Sequence, residues 1–263
     1  MRLVLSEDGE KIGEPRIFPT PKNFDAGILI IEKYIRDFAP KKIRAVVGGI
    51  RRLDANKETL VNDFRLPGWS GKPVKKRLEE ITDSPVYLEN DAALAALGEA
   101  VFGAGRGHRI VSFITVSTGV GGARVVDQKI DENAMGFEPG HQVILMDEES
   151  GNVKNLESLI GGAFIEKETG KNPQDISDKE FWQRKIKFLA IGAANSIVHW
   201  SCDVLILGGP LIAGNKISIE KLRRNLGLIL RIYPNLPDIK KAELGDSGGL
   251  YGALTYLKQI GQS

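Results

Sequence analysis

Cysteine is almost missing from this chain: Cys202 is the only one in 263 residues. One thiol cannot close an internal disulfide, so a stapled secreted scaffold is excluded, as is any multi-cysteine metal site. Long hydrophobic runs are missing too. No window holds eighteen apolar residues, which excludes a membrane-spanning helix. The opening segment has apolar residues only from Leu3 to Leu5 before an acidic stretch, so it does not read as a signal peptide, and a cytoplasmic location is expected. Charge of one sign is not in excess either. Lys and Arg total 36 against 34 Asp and Glu, leaving a formal net charge of +2, which argues against a protein built to coat nucleic acid or an anionic membrane.

Glycine is abundant, with 30 residues, and apolar residues make up 42% of the chain, enough to bury one large core or two modest ones. Strand-like and helix-like segments alternate. Arg2–Leu5 and Glu14–Phe18 read as a hairpin around an acidic turn. Asn23–Phe38 carries Ile28, Ile31, Tyr34, Ile35 and Phe38 at helical spacing. Strands are expected at 43–47, 85–88, 110–116, 123–126 and 204–207. Helices are expected at 72–82, 91–102, 156–168, 181–200 and 217–228, with a last one opening at Gly248-Gly249, while 134–155 reads as irregular. This alternation predicts an α/β architecture with mainly parallel crossovers, in which ligands bind at strand ends.

Several segments carry possible chemistry. Thr115-Val116-Ser117-Thr118-Gly119-Val120-Gly121-Gly122 follows an apolar strand, and its hydroxyls and glycines suit an anion, phosphate above all. It lacks the Lys-Ser/Thr of a Walker loop, and a strand rather than a helix follows, so it is not a dinucleotide fingerprint. A plain hairpin turn fits as well. Gly208-Gly209-Pro210 ends another strand, either as an ordinary stop or as a bed for a flat ring. Asn90-Asp91 opens an Ala-rich helix, where each is a natural N-cap and where a carboxylate, held ionised by the helix N-terminus, can serve as a base. Glu138-Pro139-Gly140-His141 puts an acid and an imidazole on one turn, and Glu157 follows at a helix start. Two carboxylates and an imidazole can together hold several sugar hydroxyls. His199, on an apolar helix, reads as a core histidine.

In order and spacing these segments resemble the ROK family of sugar kinases and related sugar-responsive repressors. The resemblance rests on Leu88-Glu89-Asn90-Asp91-Ala92-Ala93, Gly98-Glu99, Gly103-Ala104-Gly105, Ser117 to Gly122, Glu138 to His141, Gly151 to Glu157, Gly208-Gly209-Pro210 and Gly245 to Ala253. It implies an actin/hexokinase-like (ribonuclease H-like) fold of two α/β domains around a central cleft. The smaller would span 1–112, joined by a C-terminal helix at 249–263, and the larger 113–248. It further implies ATP-dependent phosphorylation of a hexose or amino sugar with Mg²⁺. Asp91 would be the general base. Asn90, Asp91, Glu138, His141 and Glu157 would hold the sugar. Thr118, Gly119 and Gly121 would cradle phosphate, and Gly208 and Gly209 would lie beside adenine. A small-molecule sugar is the implied partner, without nucleic acid or membrane, and homodimers are common in the family.

Three departures from the family pattern stand out. Ser150 and Asn155 occupy positions where zinc-binding cysteines are usual, so no structural zinc is expected. Arg65-Leu66-Pro67-Gly68-Trp69 replaces the usual Asn-Leu-Pro-Gly-Trp. The family's opening strand with Asp-x-Gly-Gly-Thr, and with it the Mg²⁺ aspartate, has no counterpart, so that either a preceding segment or catalytic power is missing. Two functions therefore compete, an ATP-dependent sugar kinase and a non-catalytic sugar-binding relative. A DNA-binding repressor and an actin-like assembly ATPase fit the motifs less well.

Overall fold

The computed structural model describes residues 1–39, 42–63 and 65–261. The chain forms two compact units, Met1–Gly98 with Gly249–Ser263, and Glu99–Gly248.

The first unit begins with β1 (Arg2–Leu3) and β2 (Arg16–Ile17), an antiparallel pair. Helix α1 (Phe24–Phe38) follows, capped by the Asn23 side chain, which accepts from the Ala26 N–H. Its start is fixed by the Leu66–Trp69 segment. Trp69 Nε1 donates to the Pro21 carbonyl at 2.8 Å, and its ring meets Phe24 edge-on at 5.2 Å. Gly27 gives that indole its seat, since a Cβ there would lie 2.1 Å from Trp69 Cζ2. Next come β3 (Val46–Ile50), α2 (Val74–Thr82), β4 (Val86–Asn90) and the first turns of α3 (Asp91–Phe102). β3 and β4 are parallel and form a second, separate pair, with Gly49 opposite Glu89 and Ile50 opposite Asn90. Phe24, Ile28, Leu60, Trp69, Val74, Leu78, Val86 and Leu88 build the apolar core.

The second unit contains β5 (Ile110–Val116), β6 (Val120–Val126), β7 (Lys129–Ile130), β8 (Val143–Met146), β9 (Val153–Asn155), α4 (Leu156–Ile160), α5 (Gly162–Thr169), α6 (Lys179–Trp200), β10 (Val204–Gly208), α7 (Pro210–Ala213), α8 (Ile219–Ile229) and β11 (Asp238–Lys241). Five of the strands form a sheet in the order β11-β10-β5-β6-β7. β10 runs parallel to both its neighbours, while β5–β6 and β6–β7 are antiparallel. β8 and β9 make a further antiparallel hairpin. The expectation of mainly parallel pairing is corrected by these hairpins, whose short turns leave no room for a crossover. The core gathers around α6, whose Leu189, Ala190 and Ala193 are fully buried.

The helix expected over 156–168 is two helices. Gly161 is extended (φ −66°, ψ 137°) between α4 and α5. The Gly162 and Ala163 N–H groups turn to the Ser117 and Thr118 carbonyls instead of continuing the helical ladder. His199 is exposed in the last turn of α6 rather than in the core. Helix α9 (Gly248–Ile260) closes the chain, and residues 262–263 of the expected C-terminal segment lie outside the described residues. α9 packs on α3 at Gly252, where a Cβ would come 1.7 Å from the Leu94 carbonyl oxygen. No described helix is long and apolar enough to cross a membrane.

Candidate active site

The expected base stands where β4 turns into α3. Asn90 is the cap: its Oδ1 accepts from the Ala92 and Ala93 N–H groups at 2.9 and 3.0 Å, and its Nδ2 donates to the Arg51 carbonyl at 2.7 Å. The Asn90 amide thus ties the ends of two parallel strands to a helix start. Asp91, the next residue, is released from capping and accepts from the Ala92 N–H at 2.8 Å. The residue is exposed, and Gly49 lies against it, where a Cβ would come 3.2 Å from Leu94 Cδ1 and 3.6 Å from the Asp91 Cα.

The Asp91 carboxyl is raised above its ordinary range. Withdrawal from bulk water by the surrounding protein is the largest influence. The Ala92 N–H, Arg51 and Arg65 pull the other way, and Asp63 adds to the rise. This corrects the expectation that the helix N-terminus holds the group below its usual range: desolvation outweighs the helix end. A carboxylate with a higher pKa is a stronger base.

The second unit assembles the other acidic group of residues around Val120. Glu157, 4% exposed, sits in the first turn of α4, and its Oε2 accepts from the Val120 N–H at 2.8 Å. The Pro139–His141 3₁₀ turn lies against the same residue, and a Cβ on Gly140 would be 2.3 Å from the Val120 carbonyl oxygen. Glu138 and His141 stand at either end of that turn, both about half-exposed, with Oε2 and Nε2 3.9 Å apart. β6 therefore brings Glu138, His141 and Glu157 into one cluster.

The tip of the β5–β6 hairpin joins this cluster through its carbonyls, which cap α5. Ser117 N donates to the Gly119 carbonyl at 2.8 Å, and the Thr118 side chain is exposed. An exposed hydroxyl beside glycines fits a phosphate group, which is the chemistry expected of Thr118, Gly119 and Gly121. Gly208 and Gly209, by contrast, have a packing reason for lacking a side chain. A Cβ on Gly208 would lie 2.8 Å from Phe113 Cζ, and one on Gly209 (φ +90°) 2.3 Å from the Val116 carbonyl oxygen.

Sequence reasoning overlooked three supports of this cluster. Gln142 links the Pro139 carbonyl to Asn195 of α6, and its own carbonyl accepts from Leu156 N. Asn155 caps α4 through Ser158 N, placing Glu157 in the first turn. Gly161 and Gly162 bring the α4–α5 junction against Ser117 and Thr118. The Asn-x-x-Ser spacing at 155–158 is a capping signal, whereas Gln142 carries none. At the other position where the family has a cysteine, Ser150 closes a turn by donating to Asp147 through both N and Oγ at 2.7 Å. Among the described residues no group of three or more His, Cys, Asp or Glu is placed to hold a metal ion.

The ROK family model matches residues 2–260. The chain belongs to the ROK family. Its fold is the actin/hexokinase-like fold of the ROK sugar kinases. It is similar to the solved ROK hexokinase from Thermus thermophilus, with 25% identity and a TM-score of 0.81 over 97% of this chain and 94% of that one. A ROK family glucokinase from Streptomyces griseus, solved with glucose and AMPPNP, shares the fold at 22% identity and a TM-score of 0.79, covering 97% of this chain and 94% of that one. In sequence the chain is 27% identical to the N-acetyl-D-glucosamine kinase of Vibrio atlanticus over 286 residues, covering 95% of this chain and 93% of that protein. It spans about half (49%) of the bifunctional NanE/NanK enzymes of Brucella melitensis and Brucella suis, which it also matches.

Proposed function

We propose that this ROK protein is an ATP-dependent kinase of a hexose or amino sugar, acting in the cytoplasm. The observation that carries the reading is Asp91: an exposed residue at a strand–helix junction whose carboxyl is partly withdrawn from water by the surrounding protein, which increases its affinity for protons. In the proposed reaction Asp91 accepts the proton of one sugar hydroxyl as that oxygen bonds to the γ-phosphorus of ATP and the bond to the departing ADP oxygen breaks. The transition state of such a transfer is loose, so the proton leaves late and a carboxylate suffices as base.

Asn90, Glu138, His141 and Glu157 are assigned to the other hydroxyls of the sugar. Carboxylates accept from hydroxyls, and an imidazole both donates and accepts. Thr118, Gly119 and Gly121 are assigned to the phosphates and Gly208-Gly209 to the adenine face. Mg²⁺ enters with ATP as its counter-ion. The reading draws support from the family match and from sugar kinases among the relatives. Its test is ADP release by the purified chain with Mg²⁺-ATP and a panel of hexoses and N-acetylhexosamines. ADP formation that depends on one or a few sugars is expected, and sugar binding without any turnover would replace the reading by a non-catalytic one.

A further inference from the structure

The residue before Asn90 is a buried acid with no part in the reaction as described. Glu89 is 5% exposed at the end of β4. Its Oε1 turns back to accept from the Asn90 N–H at 2.8 Å. Its Oε2 receives the Lys57 ammonium at 2.5 Å, and the Tyr256 hydroxyl of α9 also hydrogen-bonds to the carboxylate. A buried carboxylate needs such partners, because an uncompensated charge away from water is strongly unfavourable.

The partners come from far apart in the chain, and one of them is held in an uncommon shape. Lys57 has a φ of +55°, a conformation L side chains rarely adopt. The loop around it is closed by Asp54: its carbonyl accepts from Lys57 N at 3.0 Å, and its Oδ1 accepts from Glu58 N and Thr59 N at 2.7 and 3.0 Å. That closure aims the ammonium at Glu89. One oxygen of Glu89 therefore fixes the peptide that leads into Asn90 and Asp91, while Lys57 and Tyr256 fix Glu89.

We propose that Glu89 is a positioning residue: anchored by Lys57 and Tyr256, it holds the Asn90 backbone so that the Asn90 cap and the Asp91 carboxylate keep their orientation. It acts through the backbone and touches neither sugar nor nucleotide. The proposal rests on Asp91 being the base. A carboxylate displaced by about 1 Å loses on the order of 100-fold in rate, because alignment is needed only at the reacting atoms.

The test uses the whole chain with Glu89→Gln, Lys57→Met and the double variant. Glu89→Gln leaves one acceptor oxygen for two donors: when that oxygen turns to the Lys57 ammonium, the NH2 faces the Asn90 N–H and the anchor is lost. We expect kcat to fall by about 10- to 100-fold, with the sugar KM within about threefold. In the double variant the ammonium is gone and the amide can again accept from Asn90 N, so it is no slower than Glu89→Gln alone. Hydrogen exchange should show lost protection confined to the Asn90, Ala92 and Ala93 amides. A Glu89→Gln variant with unchanged kcat, or one whose only change is a uniform loss of stability, overturns the proposal and makes the cluster a structural ion pair. If the unaltered chain turns over no sugar, the reading of Asp91 fails first. The positioning claim is then decided by exchange alone: selective loss at those three amides upholds it, and unchanged protection overturns it.

Discussion

Truncating Glu157 to alanine should damage the fold and the sugar site together, and the glutamine variant should separate the two. In the intact protein Glu157 Oε2 accepts from the buried Val120 N–H at 2.8 Å. Alanine leaves that N–H without its acceptor, at a cost of about 1–3 kcal/mol. It also removes a buried methylene worth about 0.8 kcal/mol. The sum is about 2–4 kcal/mol. For a unit of this size each kcal/mol lowers Tm by about 2–4 °C, so a loss of about 6–12 °C is expected for the middle of that range. Glutamine keeps an oxygen for the Val120 N–H, and a neutral bond is roughly half as strong as a charged one, so its loss should be about 1 kcal/mol. Both variants lose the anionic acceptor proposed for a sugar hydroxyl, worth about 1.5–3 kcal/mol, or about 10- to 100-fold in sugar Kd. Thermal unfolding and titration calorimetry on the two variants read these quantities separately. Full sugar affinity in the glutamine variant would refute the binding role, and an unchanged Tm in the alanine variant would refute the link to β6.

Three further substitutions have expected outcomes. Asp91→Asn should lower turnover by about 10²- to 10⁴-fold in the ADP assay, with sugar Kd within about fivefold. The same substitution should stabilise the protein at neutral pH. The folded carboxyl lies above its ordinary value of 3.8, so the stability it contributes is present below that value and is lost as pH rises through the folded pKa. In denaturant titrations at pH 7 the variant should therefore be the more stable form, and the gap should close in acid. His141→Ala should weaken sugar binding by about tenfold and leave nucleotide affinity unchanged, as calorimetry with each ligand would show. Gly140→Ala must displace a Cβ that would lie 2.3 Å from the Val120 carbonyl oxygen. A loss of about 1–3 kcal/mol is expected in urea titrations, with weaker sugar binding because Glu138 and His141 ride on that turn.

The long helices and apolar strands were legible because their patterns repeat within a few residues. The spacing of Ile28, Ile31 and Ile35 marks α1, and the run from Ile110 to Val116 marks β5. Two- to four-residue strands such as β7, β9 and β11 repeat too little to be read. The break at Gly161 was hidden because its cause, the Ser117 and Thr118 carbonyls, lies more than forty residues upstream. The candidate site was legible residue by residue and not in its couplings. Asn90 as a cap follows from local rules, whereas the direction of the Asp91 shift depends on surrounding protein that no local spacing reveals. The Glu89–Lys57 pair is separated by 32 residues and is visible only once the loop at 54–59 is folded. Gly208 and Gly209 also answer to Phe113 and Val116 of the neighbouring strand, a packing reason that no local spacing reveals.

The central claim is that the chain moves the γ-phosphoryl group of ATP onto a sugar hydroxyl with Asp91 as base, and phosphorus NMR of the reaction mixture tests it most directly. The account predicts a sugar phosphomonoester resonance growing in step with ADP for the unaltered chain, and almost none with Asp91→Asn. An ATP spectrum that stays unchanged with every hexose and amino sugar, or one that yields ADP with only inorganic phosphate, would contradict it.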